Sequence, residues 1–336
     1  MSKSKIILAI ESSCDETAIA ILKDTKELLA NVVYSQIATH ANFGGVIPEV
    51  ASRIHVEKIT VTILEALKEA QLSIEDIDEI AVTIGPGLIG SLHVGLQAAK
   101  ALAWYYQIPL IPVHHIAGHI YANNYVSELK FPLLALVVSG GHTELVYMEK
   151  LNDFKIIAQT SDDAVGEAYD KVARLLGAGY PGGPIIDKLA KSGKANYTFP
   201  KIHVAEDQFS YSGLKSFILQ LEAREQKKGR PLIKEDVAYG FQESALQQLM
   251  EKTISAIQNY QPKHFVIAGG VAANSRLREL ILDLKDQFPD LEVTIPPLWT
   301  CTDNAAMIAM AAALSDFPRD QYSLDIGAQS SLDLKN

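Results

Sequence analysis

One pattern occurs twice in this chain, once in each half, and that repetition narrows the fold more than any other feature. Residues 6–10 form a short apolar run, residues 11–17 a polar turn, and residues 18–22 a second apolar run. Residues 133–138 are again wholly apolar, Ser139-Gly140-Gly141-His142 is a small polar turn, and residues 145–148 return. An unbroken apolar run of this length, closed by turn residues, reads as a buried strand, and strand–turn–strand reads as a hairpin. The pair predicts an internal duplication, although sequence identity between the copies is low.

Helical and extended stretches alternate around these hairpins. Ile54, Ile59, Ile63, Leu64 and Leu67 keep helical spacing within 51–70, and helices are also predicted at 91–106, 162–176, 238–260 and from Ser275. Residues 80–84, 110–113 and 264–268 are further strand candidates. Such alternation predicts an α/β protein, and 336 residues suit two domains rather than one. The expected division is 1–130 for a first lobe and 131–300 for a second, with 301–336 packing back on the first.

Composition bounds the setting. With 48% hydrophobic and 21% charged residues the chain has an ordinary globular balance and ample material for a core. Cys14 and Cys301 are too few for a disulfide scaffold, so a reduced, cytoplasmic setting is expected. The run at 6–10 is too short for a secretory signal, and 305–314 is too short to span a bilayer and reads as a buried helix. Asn196-Tyr197-Thr198 is a glycosylation sequon that means nothing without secretion. A net charge of −10 and an isoelectric point near 5.4 argue against bulk attraction to nucleic acid. A local basic segment, 224–234 (REQKKGRPLIK), reads first as a solvated loop.

Several motifs carry chemistry. In His115-Ile-Ala-Gly-His119 the two imidazoles stand one turn apart if a helix follows the strand at 110–113, and a third ligand would complete a metal site. Gly85-Pro86-Gly87-Leu88-Ile89-Gly90 matches G-x-G-x-x-G, but no acid follows about 20 residues on to hold a ribose, so the glycines are assigned to packing and a tight turn. In the second half, Gly177-Ala178-Gly179-Tyr180-Pro181-Gly182-Gly183-Pro184 offers bare backbone N–H groups between Asp170 and Asp187. Gly269-Gly270-Val271-Ala272-Ala273-Asn274, between a strand and a helix, suits a nucleotide or phosphate but is not a Walker A loop. In Cys301-Thr302-Asp303-Asn304, Thr302 or Asp303 reads as the N-cap of the next helix.

Taken together, these motifs and Ile10-Glu11-Ser12-Ser13-Cys14-Asp15-Glu16-Thr17 resemble the TsaD-type tRNA threonylcarbamoyladenosine transferases, formerly called Gcp or O-sialoglycoprotein endopeptidases. The resemblance runs from about residue 5 to residue 330. It implies an actin/sugar-kinase/Hsp70-like (ASKHA) α/β fold with two related lobes around a central cleft. It also implies a metal ion in that cleft, held by His115, His119 and Asp303. Two His and one carboxylate with open positions suit Fe(2+), one per subunit, with zinc an expected substitute in purified protein. Substrate contacts are implied at Val137, Val138, Ser139, Gly140, Gly141, Asp170, Gly183, Asp187 and Asn274.

The implied reaction moves a threonylcarbamoyl group from threonylcarbamoyl-AMP to N6 of adenosine 37 in tRNAs that read ANN codons. A mixed anhydride is already activated, so placement and charge stabilisation replace a covalent nucleophile. Adenosine 37 lies in a single-stranded loop and is cheap to splay out. Asp15, or Glu16 beside it, is the candidate acceptor of the amine proton. Implied partners are TsaB and the ATPase TsaE, and no membrane. These partners would help an acidic chain bind RNA, with 224–234 supplying phosphate contacts. Three other readings compete. A metalloprotease lacks its general base, since Ile116, Ala117 and Gly118 separate the imidazoles. A small-molecule O-carbamoyltransferase using a carbamoyl-adenylate needs a further domain. An actin-like scaffold or chaperone has no need of a metal.

Overall fold

The computed structural model describes residues 4–202, 204–318 and 324–334. The chain divides into two compact units. The first takes the chain up to Leu129, Leu151–Asp153 and the part from Pro296 onward; the second takes Lys130–Lys150 and Phe154–Ile295.

The first unit is built on β1 (Ile6–Glu11), β2 (Glu16–Lys23), β3 (Glu27–Ser35), β4 (Glu79–Gly85) and β5 (Leu110–His114), in the order β3-β2-β1-β4-β5. The β1–β2 and β2–β3 pairs are antiparallel, whereas β4 runs parallel to both β1 and β5. The second unit holds β6 (Leu133–Val138), β7 (Thr143–Met148), β8 (Phe154–Thr160), the short β9 (Gln208–Phe209), β10 (His264–Ala268) and β11 (Glu292–Thr294). Its order is β11-β10-β6-β7-β8-β9. Without β9, the sequence 8-7-6-10-11 repeats 3-2-1-4-5 with every pair in the same sense. The two hairpins are the opening turns of one duplicated topology.

The helices of the first unit are α1 (Ile37–Ala41), α2 (Pro48–Ala70), α3 (Ile89–Tyr106) and α4 (His115–Tyr121). Those of the second are α5 (Val165–Leu175), α6 (Gly182–Ala190), α7 (Ser212–Lys227), α8 (Lys234–Tyr260) and α9 (Ser275–Gln287). The chain then returns to the first unit with α10 (Leu298–Cys301) and α11 (Ala305–Leu314). Ile59 and Ile63 of α2 and Leu96 and Ala99 of α3 close on Leu8, Ile10, Ile19, Ile21, Ile80 and Val82 of the sheet. Each fully buried Ile or Leu contributes about 1.5–3 kcal/mol. Helix α11 is buried from Ala305 to Ala312 and packs on β1, β2 and α4. Its alanines let it approach closely, and it is the buried helix expected at 305–314. Among the described residues no helix is long and apolar enough to cross a membrane.

The differences from expectation have local causes. Helix α2 begins at Pro48 rather than Ala51, because proline fits the first helical position, where its missing N–H costs nothing. Helix α8 starts at Lys234, four residues early, and α5 starts only at Val165. Strands β3 and β8 extend the hairpins into meanders that sequence alternation did not reveal. The glycines at 85–90 do serve packing: a Cβ on Gly87 would lie 2.6 Å from the Ser13 carbonyl oxygen, and one on Gly90 2.4 Å from Ser52 Oγ. The basic segment is not one loop. Arg224 and Lys227 end α7, Gly229 turns with φ +67°, and Lys234 opens α8.

Candidate functional site

Strand β5 ends in His114, which caps α4. Its side chain accepts from Ile116 N at 3.1 Å, and its Nε2 donates to the Leu332 carbonyl at 3.1 Å. Burial pulls its pKa down to about 4, so it stays neutral. His115 and His119 then stand one turn apart with ring centroids 4.7 Å apart and planes at 85°. Asp303, in the turn between α10 and α11, places Oδ1 3.1 Å from His119 Nε2 and 3.6 Å from His115 Nε2. One ligand atom from each of the three residues falls within 4.8 Å of the others.

Two local features bring Asp303 there. The N-cap of α11 is Asn304, which accepts from Met307 N at 3.2 Å; neither Thr302 nor Asp303 has that role, because the helix begins one residue later than a cap at 303 requires. Gly118, between the imidazoles, faces α11. A Cβ there would sit 2.9 Å from Ile308 Cδ1 and 3.3 Å from Met307 Cγ, so a bare backbone lets the two helices close.

The donor set fits a metal ion. His119 is 1% exposed, yet neither ring nitrogen makes a hydrogen bond among the described residues, even with Asp303 Oδ1 3.1 Å away. A buried imidazole left unpaired is costly, and ligation would remove that cost. The surroundings are strongly anionic. Burial works against charge on His115, but Asp303 and Glu11 outweigh it and push its pKa up to about 9. Burial, Asp15 and Asp303 hold the Glu16 carboxyl well above the usual carboxylate range. Burial raises the Cys14 thiol, with Asp15, Asp303 and Glu16 adding to it. A cation would relieve this crowding of negative charge.

Asp15 is buried in the turn between β1 and β2, where its carbonyl accepts from Gln36 N at 3.0 Å. His55 of α2 pins that turn, with its ring nitrogens 2.7 Å from Thr17 Oγ1 and 2.9 Å from the Cys14 carbonyl. Sequence reasoning gave no role to His55 or to Glu11, the fully buried last residue of β1. Glu11 Oε2 lies 3.1 Å from His115 Nδ1. An acid closing an otherwise apolar strand is the signal that could have found it.

The implied substrate residues lie in the second unit, on small-residue turns that touch one another. Val137 and Val138 end β6 fully buried. Ser139 closes the next turn, its Oγ accepting from His142 N at 3.1 Å. A Cβ on Gly166 would lie 2.5 Å from the Ser139 carbonyl oxygen, and one on Gly269 2.5 Å from that of Val138. At Gly140, Gly141 and Gly183 a Cβ would meet nothing within 4 Å, so their backbone is open. The glycine-rich stretch is only partly loop, since α6 begins at Gly182. Asp170 accepts from Gly182 N at 2.7 Å, anchoring that helix start. Asp187 accepts from Ser275 Oγ at 2.9 Å. Asn274 caps α9 by accepting from Leu277 N at 2.9 Å and donates to Gln242 Oε1 at 2.8 Å. Gln242 and Ser275 also line a cavity of about 290 Å³ with Glu243 and Arg276. The sequence did not single out Gln242, which is invisible within a long helix.

The chain resembles known proteins along its length. The family model described as TsaD, tRNA N6-adenosine threonylcarbamoyltransferase, matches residues 27–310. A tRNA N6-adenosine threonylcarbamoyltransferase of Streptococcus suis is 53% identical over 339 residues, covering 100% of both chains. One from Bacillus cereus is 52% identical over 337 residues, covering 100% of this chain and 98% of its own. The solved structure of T. kodakarensis HypF superposes with a TM-score of 0.63 at 15% identity, covering 93% of this chain and 47% of that one. That likeness concerns the fold alone, the ASKHA α/β architecture with its duplicated sheets. On the family match and the full-length relatives, the chain belongs to the TsaD family of tRNA N6-adenosine threonylcarbamoyltransferases.

Proposed function

We propose that the chain transfers a threonylcarbamoyl group to N6 of adenosine 37 in tRNAs reading ANN codons, with threonylcarbamoyl-AMP as donor. The observation that carries this reading is the convergence of Asp303 Oδ1 on the two imidazoles, 3.1 Å from His119 Nε2, in a chain 53% identical to a transferase of that name. His115, His119 and Asp303 would hold one Fe(2+), for which zinc can substitute in purified protein. When bound, the ion supplies Lewis acidity toward an oxygen of the donor.

The chain's own residues would do the rest. The open backbone at Gly140, Gly141 and Gly183 would offer N–H donors to phosphate, and Asp170, Asp187 and Asn274 would hydrogen-bond the nucleoside. In the transfer, the N6–carbonyl bond forms and the carbonyl–phosphate oxygen bond breaks. AMP leaves, and the N6 proton passes to a carboxylate, Asp15 or its neighbour Glu16. No acyl-enzyme is needed, because the mixed anhydride carries its own leaving group. TsaB and TsaE are the proposed partners, the tRNA substrate places the work in the cytoplasm, and no membrane takes part.

The test is mass spectrometry of tRNA nucleosides after incubating the protein with TsaB, TsaE, threonylcarbamoyl-AMP and unmodified tRNA. Threonylcarbamoyladenosine is expected with the wild-type chain, at about 100-fold or greater excess over His115→Ala, a loss of the size seen when one stabilising group is removed. Equal yields would remove the assigned site.

A further inference from the structure

We propose that Glu11 is a positioning residue for His115, holding the imidazole in the tautomer that turns the Nε2 lone pair toward His119 and Asp303. The proposal rests on the metal reading above and extends it to a residue outside the ligand set. Glu11 is 0% exposed, and its carboxylate is surrounded by donors. Ser13 N donates to Oε1 at 2.5 Å, Thr83 Oγ1 donates to Oε2 at 2.6 Å, and His115 Nδ1 lies 3.1 Å from the same Oε2 and 3.1 Å from Ser13 Oγ, which can accept beside it. A carboxylate only accepts, so Nδ1 keeps the proton that faces Glu11, and Nε2 is the nitrogen that gives up its proton when a metal binds. The contact is rigid. Glu11 ends β1, whose parallel neighbour β4 carries Thr83, and Leu88 N fixes the Ser13 carbonyl at 2.7 Å.

Packing gives no reason for an acid here, since an apolar side chain would fill the end of a buried strand at lower desolvation cost. His119 provides the contrast: its Nδ1 makes no hydrogen bond among the described residues, so no carboxylate stands behind it as Glu11 stands behind His115. In metal centres a carboxylate behind a ligating imidazole fixes the tautomer and raises ligand basicity, and losing it costs about 10–100-fold in affinity.

The test titrates metal-free protein with Fe(2+) anaerobically against a chelating dye, beside its thermal unfolding midpoint. Glu11→Gln keeps the shape and removes the charge, and Val82→Ala, a core change on β4, reports what lost stability alone does. Glu11→Gln should bind about 10–100-fold more weakly than wild type, while Val82→Ala retains wild-type affinity at a comparable loss of midpoint. Wild-type affinity in Glu11→Gln, or a loss matched by Val82→Ala, overturns the proposal. If Glu11→Gln does not fold, Thr83→Val strips one donor from the same carboxylate, and unchanged affinity there overturns it equally. His115→Ala separates the two readings: if it too binds as wild type, the metal assignment itself falls; if it alone loses binding, only the role of Glu11 does.

Discussion

Asp303 and Asn304 are adjacent polar residues with divided duties, and single substitutions should separate them. Asn304 accepts from Met307 N, so Asn304→Ala should cost about 1 kcal/mol of stability. Asp303→Ala should lower the unfolding midpoint of metal-free protein less than that, yet abolish metal retention; urea denaturation and elemental analysis check both. His264 makes a pH-dependent contribution. It is fully buried, its Nδ1 accepts from Lys130 N at 3.2 Å and its Nε2 donates to Thr294 Oγ1 at 2.8 Å, and burial holds its pKa below the ordinary histidine value. A depressed histidine pKa means the native state refuses a proton that the unfolded chain takes up near pH 6.5. Stability is therefore intact above that pH and is lost as pH falls below it. Between pH 7.5 and 5.5 the wild type should lose more stability than His264→Asn, measured by urea midpoints; equal losses would remove the assignment to His264.

Glycines decide how closely the elements approach. Gly269 has φ +90° and its Cβ would lie 2.5 Å from the Val138 carbonyl oxygen, whereas a Cβ on neighbouring Gly270 would meet nothing within 4 Å. Gly269→Ala should therefore destabilise by about 1–3 kcal/mol, and Gly270→Ala should stay within about 0.5 kcal/mol of wild type, by thermal unfolding. Between α4 and α11, Gly118→Val should cost about 1–3 kcal/mol through overpacking and weaken metal binding, because it separates the imidazoles from Asp303. Element type was legible where burial leaves an uninterrupted apolar run, as in β1, β6 and α11. It was not legible for β3, whose partly exposed residues show no clean alternation, nor at Pro48, which reads as a break and acts as a helix start.

For the whole molecule, a net charge of −10 has to be reconciled with a polyanionic substrate. The exposed side chains of Arg224, Lys227, Lys228, Arg230 and Lys234 gather where α7 ends and α8 begins. Reversing Arg224, Lys227 and Arg230 to Glu should weaken tRNA binding and flatten its salt dependence, each lost phosphate contact taking about 0.7–0.9 from the slope; titrations across salt concentrations read this directly. Unchanged binding would place the RNA surface elsewhere. The duplicated hairpins, the His115–His119 spacing and the glycine turns were all readable in the chain, because each is a short-range pattern of burial or backbone freedom. The family resemblance named Asp303, but only tertiary contact showed its Oδ1 3.1 Å from His119 Nε2, Glu11 behind His115, and Gln242 reaching Asn274. Those pairs lie far apart in sequence, and only strand pairing and helix packing bring their side chains within bonding distance.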